Sequence, residues 1–272
     1  MKKTKPNFFL IWILGLMFCA MAQIPLWGIM LLSVGYGVLI LLLRFHQSML
    51  WLAYLIHGVR NQPEKALKLY DYAYARGGSA GAPMIAYAML LMERCRYDEA
   101  LQVLREVQKR SDLKPAMRFL SRQDLALAYE KTGNVIQAID EMEKIRQDYD
   151  CLGSDFYATL AYFYIQADEY GKAEEVNELS ATEEPGGAYY DNLALIAYRQ
   201  GDLAKAEELF QKALEADGTM LSPRYHLGLL AENRGEPDRA GEWFRAVHEA
   251  GVTGLSTVSP EAVEEKYRKY CV

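Results

Sequence analysis

The sequence predicts an all-α protein: a helical solenoid of about six helix-turn-helix repeats plus a capping helix, behind an N-terminal transmembrane helical hairpin. Three observations carry that prediction. Residues 8–43 contain no charged side chain, the rest of the chain resembles itself at an interval near 34 residues, and Ser259-Pro260-Glu261 forms a helix-start signature close to the C-terminus. These features divide the chain into a membrane anchor over 1–45, a repeat domain over 46–254 and a cap over 255–272.

The anchor comes first. The charge-free run of 36 residues exceeds the roughly 20 that one helix needs to cross a bilayer. It is interrupted at Gln23-Ile24-Pro25, where proline removes a backbone donor and holds the preceding residue extended. Two short spans follow, 8–23 and 26–43, with Trp12 and Trp27 as interfacial anchors. Lys2, Lys3, Lys5 and Arg44, Arg60, Lys65, Lys68 flank the pair, which by the positive-inside bias places both ends in the cytoplasm. Ser33 and Gly37 form a small-xxx-small pair open to another helix. The first segment also reads as a signal peptide, with a basic start, an apolar core and Ala20-Met21-Ala22 as the cleavage site. Cleavage there leaves Leu26–Leu43 as a stop-transfer helix. The expected location is a bacterial cell membrane with the repeats facing the cytoplasm. The alternative is an exported or cell-surface protein with its signal removed.

Charge excludes one class of partner. All 36 acidic residues follow Arg44, whereas four of the 30 basic ones do not, so the repeat region is more acidic than the whole-chain net charge of −6. Such a field repels polyanions, and no nucleic-acid partner is expected. Cys19, Cys95, Cys151 and Cys271 form no C-x-x-C pair, and the expectation is reduced thiols.

The repeat is clearest where Tyr190–Ala213 aligns with Arg224–Val247. Leu193 falls on Leu227, Ala194 on Gly228, Ala197 on Ala231 and Gly201 on Gly235. A small residue recurs at Ala66, Ala100, Ala138, Ala173, Ala206 and Ala240, spaced 34, 38, 35, 33 and 34 apart. Four residues after each stand Tyr70, Leu104, Met142, Asn177, Phe210 and Phe244; thirteen before each stand Ala53, Tyr87, Leu125, Leu160, Leu193 and Leu227. This pattern resembles the tetratricopeptide repeat, in which two antiparallel helices meet at small residues and stack on the next pair. Departures carry expectations too. The spacing of 38 implies a longer corner around Lys109–Pro115, and Asn177 with Ser180, where apolar residues are expected, implies a weak seam between the fourth and fifth copies. At the end, serine as N-cap, proline at the first helical position and glutamate in the first turn start a capping helix with Val263, Tyr267 and Tyr270 on one face.

Catalytic chemistry is missing from the sequence. His46, His57, His226 and His248 lack metal-ligand spacing, and there is no H-E-x-x-H, P-loop or G-x-S-x-G motif. The expectation is a non-enzyme with no cofactor, metal or small-molecule substrate. In the family that the repeat resembles, the first helices of each pair line a concave surface that receives protein segments. The resemblance therefore implies a groove formed by Leu127, Glu130 and Lys131, Tyr162 and Gln166, Leu195, Tyr198 and Arg199, and Tyr225, Leu229, Glu232 and Asn233. Tyrosine suits that role because it offers large contact area at low entropy cost. The carboxylate-gripping lysines and asparagines of chaperone-binding members are replaced here by apolar or acidic residues. The implied function is a membrane-anchored scaffold or assembly factor that binds other proteins.

Overall fold

A computed structural model describes residues 8–21, 24–181 and 183–272. The expected basic start at Lys2, Lys3 and Lys5, and the Ala22-Gln23 part of the turn and cleavage site, lie outside these residues. Among the described residues every regular element is an α-helix. The helices form two compact units, residues 1–83 and 84–272.

In the first unit α1 (Phe8–Met21) and α2 (Leu26–Leu43) fall where the two spans are expected, and Pro25 separates them. Both are short for membrane spans. Fourteen and 18 residues give about 21 and 27 Å of helix against a hydrocarbon core of about 30 Å. Among the described residues no helix is long and apolar enough to cross a membrane. Ser33 faces a 300 Å³ cavity between α1 and α2, while no atom of the described residues lies within 4 Å of a Cβ built at Gly37, so among these residues the small pair draws no helix close. Arg44 breaks the path, and α3 (Phe45–Gly58) pairs with α4 (Pro63–Ala75) as the first repeat, burying Ala53, Ala66 and Tyr70.

The second unit holds the other copies. After α5 (Gly81–Glu93), within which the two units meet in sequence, come α6 (Tyr97–Gln108), α7 (Pro115–Lys131), α8 (Val135–Asp148), α9 (Ser154–Gln166) and α10 (Tyr170–Glu178). Then follow α11 (Gly187–Arg199), α12 (Leu203–Ala216), α13 (Leu221–Asn233), α14 (Pro237–Ala250) and α15 (Pro260–Cys271). All six small ruler residues are fully buried, as are the six residues four positions later, because two helices can only cross closely where one side lacks bulk and the other fills the gap. The backbone keeps the same ruler. The corner between the two helices of each repeat carries a left-handed residue: Asn61, Cys95, Gly133, Asp168, Gly201 and Gly235. Each lies five residues before its small residue.

Two expectations are corrected here. The four extra residues of the long interval are spent mainly in α7, which has 17 residues where α5, α9, α11 and α13 have 13. The supposed seam is instead a hydrogen-bonded joint. Asn177 donates from Nδ2 to the Tyr189 carbonyl at 3.0 Å, Asn192 donates to Asn177 Oδ1 at 2.9 Å and to the Ala158 carbonyl at 2.8 Å, and Ser180 bonds the Asn177 carbonyl at 2.6 Å. Buried polar groups are tolerable when they satisfy one another, and these span α9, α10 and α11. The cap forms as expected: Ser259 Oγ accepts from the Ala262 amide, Val263 is buried, and Tyr267 stacks on His248.

Candidate protein-binding groove

The inner face of the second unit is built from α7, α9, α11 and α13. α7, α9 and α11 each present the residue one position after their small helix-contact residue and others three or four further on, whereas α13 presents residues that precede its own. Leu127, Glu130 and Lys131 project from α7, Tyr162 and Gln166 from α9, Leu195, Tyr198 and Arg199 from α11, and Tyr225 and His226 from α13. They border two adjoining cavities. One of 460 Å³ is lined by Leu127, Lys131 and Tyr162 with Asp124, Asp191 and Asn192. The other, of 420 Å³, is lined by Glu130, Lys131, Tyr162, Gln166, Leu195, Tyr198, Arg199 and Tyr225. Nine of the twelve expected positions thus converge.

The remaining three do not reach these cavities, because α15 claims their end of the face. Leu229 packs with Tyr225 and Tyr270 against Phe244. Glu232 accepts hydrogen bonds from Lys266, Lys269 and Tyr270. Burial pushes its carboxyl up, but these three donors outweigh burial and bring it down to about 2. Asn233 is exposed at the end of α13. A cap that takes its ligands from the last repeat's inner face removes that repeat's most C-terminal positions from the groove.

Electrostatically the groove is a desolvated, mostly acidic cleft with two cations at work. Burial pushes Asp124 up to about 7, and among the described residues no partner offsets it. Burial also pushes Asp191 up to about 7, only partly relieved by the Ser222 hydroxyl donating at 3.0 Å. Glu130 is raised by burial despite Lys131, whose Nζ stands 3.4 Å from its Oε2. Arg199 joins α11 to α9 through Gln166 at 3.2 Å and Asp168 at 3.3 Å. His226 lies flat on Phe210, with Tyr198 and Tyr225 edge-on. Its Nδ1 is 2.8 Å from the Ser222 carbonyl, which only accepts, so Nδ1 donates. Burial lowers this imidazole to about 4 and keeps it neutral. Among the described residues no group of three or more His, Cys, Asp or Glu side chains is placed to hold a metal ion.

Sequence reasoning missed Asp124, Asp191 and Ser222. It also missed the loop between α14 and α15, which enters the groove from the far end of the chain. Leu255 and Thr257 line the larger cavity, and residues 256–259 line the smaller. The acidic positions share the inner-face register of Leu127 and Leu195, so helical periodicity was the available signal. The loop has no local signal.

The helix-turn-helix pairs, the buried small residues and the repeating left-handed corner have a counterpart among known proteins. This is a tetratricopeptide-repeat fold. The tetratricopeptide-repeat family model matches residues 192–251, the segment of α11 to α14. A tetratricopeptide-repeat protein from Parabacteroides merdae superposes with a TM-score of 0.54 at 12% identity, over 82% of this chain and 97% of that one. A thermophilic protein of the same kind from Thermus thermophilus does so with a TM-score of 0.54 at 18% identity, over 70% and 98%. None of the curated proteins matches the chain. At these identities the likeness establishes the fold. Tetratricopeptide-repeat proteins in general mediate protein–protein interaction.

Proposed function

We propose that this chain is a membrane-attached, non-catalytic scaffold or assembly factor whose groove over repeats three to six receives a segment of another protein. The observation that carries the reading is the convergence of Tyr162, Tyr198 and Tyr225 with Leu195 and Arg199 on one cleft. Interface energy concentrates in a few aromatic and arginine residues. The triple variant Tyr162→Ala/Tyr198→Ala/Tyr225→Ala should stay helical yet lose the proteins captured by crosslinking in membranes. A folded triple variant that retrieves the same proteins in the same amounts refutes the reading.

Membrane attachment rests on a second observation. In α1 and α2, Phe18, Leu26, Trp27, Met30, Leu31 and Val34 are each more than 60% exposed. An apolar surface of that extent needs cover. A bilayer supplies it, and α2, which at 18 residues is about 3 Å short, is accommodated by local thinning and by snorkelling of flanking side chains such as Arg44. With the lysines near residue 1 and Arg44 on the inner side, the repeats face the cytoplasm. Full-length protein should remain with membranes through alkaline carbonate washing, and recovery in the supernatant contradicts attachment.

A further inference from the structure

The chain between α14 and α15 does more than connect them. Gly251 turns it in the left-handed region, and residues 252–258 then cross to the second and third repeats, more than 120 residues away in sequence. Three hydrogen bonds hold the crossing, all on backbone groups of the strap. The Gly254 amide donates to the Glu93 carbonyl at 3.1 Å, Tyr97 Oη donates to the Gly254 carbonyl at 3.1 Å, and Lys131 Nζ donates to the Ser256 carbonyl at 2.8 Å. Gly254 is buried, and a Cβ there would run into the Met92 carbonyl oxygen and lie 2.9 Å from the Tyr97 hydroxyl. At its far end Val258 is buried with Val247 and Val263. Thr257 of the strap lines both cavities, as do Lys131, Tyr162 and Ser222.

Resting on the protein-binding reading above, we infer that residues 252–258 are an intramolecular occupant of the groove, and that the partner is an extended, uncharged segment of similar chemistry that must displace them. The strap shows what the site accepts. Its sequence, Val252-Thr-Gly-Leu-Ser-Thr-Val258, carries no charge. Tyr97 and Lys131 grip carbonyls rather than side chains, which a foreign backbone offers equally well. Selectivity falls on the position of Gly254, where only hydrogen fits against Met92. A segment tethered at both ends competes at a local concentration on the order of millimolar. A strap that closes the groove nine-tenths of the time therefore weakens a partner's apparent affinity about tenfold.

The test uses full-length protein purified in detergent and a fluorescent synthetic peptide of residues 251–259 as the probe. Hydrogen exchange in the wild type should show the strap amides protected, and excess peptide should raise their exchange rate as it takes their place. Gly254→Val should expel the strap, with about tenfold faster exchange over 252–258 while α7 to α14 stay protected. That variant should also bind the peptide about tenfold more tightly than wild type does. Tyr97→Phe/Lys131→Met should release the strap as well but bind peptide no better than wild type, because the gripping donors are gone. If Gly254→Val does not fold, the peptide titration of wild type and the double variant decide the matter. Strap protection unchanged by peptide and by either variant overturns the inference, as does a strap released by Gly254→Val with no gain in peptide binding. A dimer formed by exchanging straps overturns the cis arrangement. Loss of the protein-binding reading looks different: the tyrosine triple variant keeps its partners while strap exchange proceeds as described.

Discussion

Replacing Asn177 by leucine sets two lines of reasoning against each other. By the repeat pattern Asn177 stands where Tyr70, Leu104, Met142, Phe210 and Phe244 fill their repeats, so leucine should repair a defect. The structure predicts the reverse. The substitution deletes the bond to the Tyr189 carbonyl and strips one proton of Asn192 Nδ2 of its acceptor. Leaving a buried polar group unpaired costs roughly 1–3 kcal/mol for each of the two. Burying a leucine side chain returns about 1.5–3 kcal/mol, and water reaching the half-buried Tyr189 recovers part of the loss. The net is a destabilisation of about 1–2 kcal/mol. For a unit of this size that lowers the melting temperature by roughly 2–8 °C. Repeat arrays need not unfold in one step, so the melt should be paired with hydrogen exchange, where faster exchange should centre on α9, α10 and α11. A variant that melts at or above the wild-type temperature, with α10 as protected as before, refutes the joint and restores the seam.

Two further predictions concern the second unit. In Gly228→Leu the first added carbon already lies 2.7 Å from Phe244 Cε1, so the variant should lose about 1–3 kcal/mol or more through overpacking; hydrogen exchange should rise in α13 and α14 and fade toward α7. Asp124→Asn should stabilise the fold in a pH-dependent way. The folded carboxyl is raised to about 7 from its ordinary 3.8, so the wild type is relatively most stable below about pH 4 and loses stability as pH rises through 7. Asparagine has no such loss, so the gain in melting temperature should be absent near pH 3 and full at pH 8; an equal gain at both would mean that Asp124 is not held neutral.

The repeat register was legible residue by residue because it rests on short-range geometry. A small residue recurring near 34 residues and a bulky one four later specify one helix crossing each, and burial of all twelve follows. The inner-face tyrosines were legible for the same reason, by helical spacing from that register. What stayed hidden depends on contacts distant in sequence. Whether Asn177 is a defect depends on Asn192 reaching it from the next repeat, and whether Glu232 is free depends on α15 folding back onto α13. The strap is the extreme case, since a Gly/Ser/Thr segment reads as a plain loop until Glu93, Tyr97 and Lys131 are brought to it. The α7 extension was hidden differently: four extra residues prolong a helix or a corner with equal economy in the pattern, and Pro115 at the first helical position was the signal for a helix starting there.

The central claim, that the partner lies in the groove rather than elsewhere on the repeats, is tested most directly by a photo-crosslinking amino acid placed singly at Tyr198 and at Ile136. Ile136 is 62% exposed at the start of α8 and lines neither cavity. After illumination of membranes, position 198 should yield a discrete crosslinked protein that excess peptide of residues 251–259 suppresses, and position 136 should not. The same crosslinked protein from position 136, with none from 198, would contradict the account.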